Sequence, residues 1–139
     1  MSYTSIANAL RNVLVSDADL IALVPAARIQ PQIVSQNPTP PFIIYSTLSD
    51  EPLIDASGMA GLFKAIIQID VLATTQLSAQ TIAENVRLLL QSYSGTNIGI
   101  VIKGIYFLMI MDSFETEVSN YRQILRFEAW YYRDNPERD

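Results

Sequence analysis

Along the stretch from Leu62 to Ala73, Phe63, Ala65, Ile67, Ile69 and Val71 occupy one set of alternating positions while Lys64, Gln68 and Asp70 occupy the other. A period of two sends these sets to opposite faces of a strand, and alternation this clean marks an antiparallel sheet with one wet face. The chain then runs through Thr74-Thr75 into a helical pattern in which Ile82, Val86, Leu89, Leu90 and Tyr93 form the buried stripe. Thr74, Thr75 or Ser78 can cap this helix, and Gly95 can close it in the left-handed conformation. Glu84 and Arg87 form a surface pair on its outer side. Leu88 shares that side, where it either widens the core stripe or meets another protein.

The rest of the chain follows the same two periods. Ile6, Leu10, Val13 and Leu14 predict an amphipathic helix over 5–15 behind Thr4 or Ser5. Ser16-Asp17-Ala18-Asp19 offers a fresh capping signal, and Leu20 to Val24 predict a further turn or two before Pro25. Arg28 to Gln30 reads as a short strand, and the prolines at 38, 40 and 41 make 32–41 a loop. Phe42 to Leu48 is a strand whose partner is the Leu62 strand. The link between them, with Asp50, Glu51, Pro52, Asp55, Gly58 and Gly61, reads as a long hairpin loop and a candidate binding element. Ile98 to Met111 predicts one or two strands, Asp112 to Asn120 an acidic turn, and Tyr121 to Tyr132 the last strand. Together these make a single α+β domain over 1–133, a mainly antiparallel sheet packed by an N-terminal helix pair and one long central helix. Residues 134–139 form a charged tail with no expected order.

Composition removes much of the usual chemistry. The 139 residues contain no cysteine and no histidine, which excludes disulfides and thiolate metal sites and takes away the commonest general base near neutral pH. Net charge is −5 and the nine basic residues are scattered, so a surface dense enough to grip nucleic acid is not expected. The longest apolar run, Ile105 to Met111, is about a third of a spanning helix, so no membrane segment is expected. The N-terminus lacks the basic-then-apolar pattern of a secretory signal.

No constellation points to catalysis, a cofactor or a metal. Asp50, Glu51 and Asp55, like Asp112, Glu115 and Glu117, could offer oxygen ligands to a hard cation, but neither group has calcium-loop spacing, and both read as solvated loop charge. The serines and threonines lack a nearby base and an elbow pattern, and no glycine-rich loop could cradle phosphate. Trp130, Tyr131 and Tyr132 without surrounding positive charge read as an aromatic sheet face or subunit contact, not a base-stacking platform.

The Leu62 to Gly95 unit, the opening helix with Leu20 to Val24, the Pro40-Pro41-Phe42-Ile43-Ile44-Tyr45 segment and the closing Tyr121 to Tyr131 strand together resemble the small tail-completion, or tail-terminator, proteins of long-tailed bacteriophages. The resemblance implies a non-enzymatic virion protein that caps the head-proximal end of the tail tube, stops tail growth and joins tail to head as a homo-hexameric ring. It implies tail tube protein and a head-completion or connector protein as partners, with DNA passing through unbound. It also implies residence in the host cytoplasm during assembly and in the virion tail afterwards. Another head–tail connector, a minor tail protein, or a small ligand-binding domain are the competing readings. On the tail-terminator reading Asp50, Glu51, Asp55, Glu115 and Glu117 mark docking loops. Related strands at the Ile105 position alternate with charge, whereas here Ile105 to Met111 is apolar throughout. A strand apolar on both faces needs two covers, and a small domain has one core. Strict alternation divides it into Tyr106, Leu108 and Ile110 against Ile105, Phe107, Met109 and Met111. Only one set can fill the monomer core and alternation alone does not choose between them; with Tyr106, Leu108 and Ile110 taken as the outer set, they and Leu88 are the candidate subunit interface.

Overall fold

The computed structural model describes residues 5–31, 39–53, 61–115 and 120–132. The expected tail at 134–139 and most of the expected loop at 32–41 lie outside the described residues.

Two short helices open the chain. Ser5 caps α1 (Ile6–Val15) by accepting the Asn8 amide at 3.1 Å, and Ile6, Ala9, Leu10, Val13 and Leu14 form its buried stripe. Asp17 caps α2 (Ala18–Leu23) by accepting the Leu20 amide at 2.9 Å. Ser16 turns its hydroxyl back onto the Asn12 carbonyl instead. A single 3-10 turn leads into β1 (Ile29–Pro31), which runs parallel to the start of β2 (Phe42–Pro52). β3 (Leu62–Ala73) pairs antiparallel with β2 and hands over to α3 (Gln76–Leu90), capped by Thr75.

α3 stops at Leu90, short of the expected closure at Gly95. Gln91 is already extended, Ser92 takes the left-handed conformation at φ 65°, and its amide donates to the Ile105 carbonyl at 2.8 Å. Gly95 instead opens β4 (Gly95–Asn97), which turns through Ile98 and Gly99 into β5 (Ile100–Glu115). Both turn residues have positive φ, 41° and 84°, the backbone that a tight two-residue hairpin turn needs. β6 (Asn120–Tyr132) returns between β5 and β3, giving the strand order β1-β2-β3-β6-β5-β4. The outcome is the α+β architecture that the pattern predicts: a six-stranded, mainly antiparallel sheet with the helices on one face.

That face holds the core. Ile43 and Tyr45 of β2, Ala65 to Val71 at odd positions of β3, and Leu125, Phe127, Ala129 and Tyr131 of β6 meet the apolar stripes of α1 and α3. α3 lies across β3 and β6, and α1 packs against α3 and β2. Each fully buried Leu, Ile or Phe here stabilises the fold by about 1.5–3 kcal/mol. At the edge of this core Arg11 ties the first helix down, its guanidinium donating to the carbonyls of Ile29 at 2.9 Å and Ala26 at 3.0 Å. Burial holds the neighbouring Tyr45 phenol above its ordinary pKa, although the Arg11 charge pulls the other way.

Candidate docking surfaces

The acidic residues nominated from the sequence do not form one site. Asp50 and Glu51 belong to β2, not to a loop, paired across the ladder with Ala65 and Lys64. The hairpin continues to Leu53, whose amide donates to the Leu62 carbonyl at 2.8 Å. The Tyr131 hydroxyl donates to the Asp50 carboxylate, with both oxygens at 2.7 Å, so Asp50 anchors a buried phenol. The turn expected from Asp112 is strand as far as Glu115, which pairs with Asn120. Asp55 and Glu117 lie outside the described residues. Among the described residues no cluster of three or more acidic side chains could hold a metal ion, and no helix is long and apolar enough to cross a membrane.

β5 is the unusual element, and its register explains why. Residues opposite each other in a ladder share a face. Ile102 opposes Tyr131, and Ile105 and Phe107 oppose Ala129 and Phe127, so all three look toward the helices, with a bulge at Lys103 between them. A second bulge at Leu108 shifts the frame again. Beyond it Ile110, Asp112 and Phe114 oppose Leu125, Gln123 and Tyr121 on the helix side, while Met109 and Met111 join Tyr106 on the other face. Strict alternation therefore fails for this strand. Tyr106 and Ile110 are on opposite faces, and Leu108 sits in the bulge between them.

All three are nonetheless open to solvent: Tyr106 is 57 % exposed, Leu108 48 % and Ile110 45 %, whereas Ile105 is 1 % exposed. Met111 and Phe114, which pattern reading did not nominate, extend the exposed apolar strip, Phe114 stacking on Tyr121 with ring centroids 4.7 Å apart. Ile110 is uncovered despite facing the helix side; α3 and the turn after it meet β5 at Phe107 and Ile105, short of Ile110. Ser92 touches Ile105 there, and the Arg87 guanidinium lies 5.9 Å from the Phe107 ring centroid. Leu88, next to Arg87 on the outer side of α3, is 63 % exposed.

The sheet face opposite the helices carries a set of matched charges among its apolar side chains. Arg126 donates to the Gln68 amide oxygen at 3.0 Å, and Gln68 donates in turn to Asp70 at 3.0 Å. Arg122 lies 3.7 Å from the Asp70 carboxylate, Lys64 lies 3.9 Å from Glu128, and the Trp130 indole donates to Glu128 at 3.1 Å. On α3 the Arg87 guanidinium is paired with Glu84, which holds the Glu84 carboxyl below its ordinary pKa, first through the hydrogen bond and then through the charge. Lys64, Arg122 and Arg126 of this face are thus matched to carboxylates or an amide, and Lys103 lies over the Tyr132 ring, 5.7 Å from its centroid.

Comparison with known proteins follows the same line. A solved chain from the virion of a native gene transfer agent particle superposes with a TM-score of 0.74 at 20 % identity, covering 95 % of this chain and all of its own. A second solved chain superposes at 0.54 and 16 % identity over 93 % of this chain and 94 % of its own. At these identities the likeness is one of fold. No curated protein matches the chain significantly. The model of the family described as tail completion protein gp17 matches residues 8–132. The chain therefore belongs to the tail completion protein gp17 family and is a structural component of the virion tail.

Proposed function

We propose that this protein ends the tail tube at its head-proximal end: a ring of identical subunits, six to match the tube, docks on the last layer of tail tube protein, stops further growth and offers its other side to a head-completion or connector protein. The observation that carries the reading is that β5 exposes apolar side chains on both of its faces: Tyr106 and Met111 on one, Ile110 and Phe114 on the other, with Leu108 in the bulge between. A strip this long on a small domain is a protein contact awaiting a partner. Leu88, exposed on the outer side of α3, is proposed as a further part of the subunit contact. The proposed docking residues are Asp50, Glu51, Asp55, Glu115 and Glu117, of which Asp55 and Glu117 lie outside the described residues.

The role is non-enzymatic, a reading supported by membership of a structural tail-protein family and by a sequence without histidine or cysteine. DNA passes through the ring without sticking, because the chain carries a net charge of −5 and Lys64 and Arg122 of the sheet face lie against its own carboxylates. Light scattering of the pure protein, alone and with tail tube protein, tests the reading. A hexamer-sized species that binds tube ends supports it. A hexamer that ignores tubes and binds the portal supports the connector reading instead.

A further inference from the structure

β5 lies at one side of the sheet, yet β4 covers it only at Ile100 to Ile102, and Ser92 touches it at Ile105. From Tyr106 to Glu115 its ladder partner among the described residues is β6 alone. Every side chain from Tyr106 to Phe114 is exposed, on both faces of the sheet, except the half-buried Phe107 and Met109. Charge and proline, which keep an edge strand from pairing with another chain, are missing from Ile105 to Met111. A strand laid along this edge sets its side chains beside those of β5 on both faces, so the best match is itself apolar on both. Among the described strands only β5 exposes large apolar side chains on both faces. We propose that in the free protein two copies of this chain pair β5 edge to β5 edge, antiparallel about a two-fold axis normal to the sheet.

This dimer goes beyond the ring reading and does not rest on it. A two-fold contact uses the same surface on both copies and closes at two, so it cannot build a ring by itself. It is the state of the protein before docking, and it keeps the apolar strip of β5 out of water until a tube end is met.

Backbone direction, face and charge choose the register. The Ile105 carbonyl accepts from Ser92, outside the β5–β6 ladder, so Ile105 and Ala129 are a pair not bonded to each other. Every second residue of β6 repeats this, and the partners Phe107, Ile110, Asp112 and Phe114 turn their N–H and C=O groups toward the open edge. The two-fold axis keeps the helix sides of both sheets together. Past the bulge at Leu108, Ile110, Asp112 and Phe114 of one copy therefore oppose that same set in the other, and so do Met109, Met111 and Ser113. Centring on Asp112 sets two carboxylates face to face, which is destabilising. Centring on Ile110 leaves only Met109 to Met111 before the bulge breaks the match, and centring on Ser113 carries Ile110 past the end of the partner strand at Glu115. Centring on Met111 matches Met109 through Ser113: Met111 opposes Met111, Met109 opposes Ser113, and Ile110 with Asp112 forms two hydrogen-bonded pairs.

The chain has no native cysteine, so a single substitution reads the axis without background. In this register the two Met111 Cα atoms are about 4.5 Å apart, within disulfide range, and the two Ser113 Cα atoms about 13 Å apart. Met111→Cys, mildly oxidised, is expected to run as a covalent dimer on a non-reducing gel with nothing larger, and Ser113→Cys to give at least ten-fold less dimer. Equal or stronger linkage of Ser113→Cys overturns the register. Dimers by light scattering that neither substitution links overturn the edge pairing. Pure protein that is monomeric or hexameric overturns the dimer, and in either case binding to tube ends upholds the ring reading. A linked dimer in a protein that never joins tail tube leaves the pairing in place and overturns the ring reading. Amide exchange on the unmodified protein gives a reading independent of the cysteines. Slowing at Ile110 and Asp112 as concentration rises supports the pairing, and unchanged exchange at both refutes it.

Discussion

Replacing Ile105 and Leu108, three positions apart on one strand, by aspartate separates core from contact surface within β5. Ile105 is 1 % exposed and lies within the core cluster, so Ile105→Asp forfeits about 1.5–3 kcal/mol of apolar burial. It also forces a carboxylate into that core, an added cost of several kcal/mol. The total, about 5 kcal/mol or more, is comparable with the whole stability of a small domain, about 5–15 kcal/mol. Leu108 is 48 % exposed and sits in a bulge, so its aspartate reaches water and the cost is about 1 kcal/mol or less. Urea unfolding of dilute protein, followed by the fluorescence of the single tryptophan, Trp130, measures both, and light scattering at high concentration measures assembly. Ile105→Asp is expected to be unfolded or insoluble. Leu108→Asp is expected to stay folded, with a near-normal midpoint, and to remain monomeric. If Leu108→Asp unfolds as Ile105→Asp does, or assembles like the parent protein, the strip is ordinary core or ordinary surface and the interface reasoning is wrong.

Three further expectations follow from named contacts. Tyr131→Phe removes the donor to the Asp50 carboxylate and is expected to cost about 1.5–3 kcal/mol in urea unfolding; a loss below about 0.5 kcal/mol would show that Asp50 does not anchor β2 to β6. Ile98→Asn relieves a β-branched residue held at φ 41° and is expected to add about 1 kcal/mol, read as a higher urea midpoint, with no change or a loss counting against strain in the turn. Glu84 is expected to titrate by NMR below its ordinary value and to return to it in Arg87→Ala; because the folded pKa is lowered, the pair stabilises the fold above the unfolded pKa and loses that effect as pH falls through the folded one, too weakly at this exposed site to move the midpoint.

Most of the architecture was legible because its causes are local. Thr75 sits where a helix needs an acceptor, and Phe63, Ala65, Ile67, Ile69 and Val71 of the Leu62 strand keep one period of two, so both could be placed from neighbours alone. The errors lie where causes are distant or where alternation breaks. Ser49-Asp50-Glu51 resembles a turn in sequence, but the phenol that holds Asp50 in a strand comes from Tyr131, 81 residues away. On β5 the bulges at Lys103 and Leu108 each shift the frame, and neither residue type announces a bulge. Strict alternation puts Tyr106, Leu108 and Ile110 on one face, yet two frames lie among them, and Met111 and Phe114 share their exposure. Gly95 is the reverse case: a residue suited to closing a helix is used to open a strand, because Ser92 is drawn to the Ile105 carbonyl first.

Tube length is the most direct test of the central claim. Purified tail tube protein polymerising in the presence of increasing amounts of this protein can be measured by negative-stain microscopy, with the protein itself located by gold-labelled antibody. Termination by a ring at the head-proximal end predicts tubes that shorten as the protein rises, each labelled at one end, with Leu108→Asp giving neither effect. Tubes of unchanged length, or label spread along their sides, contradict it.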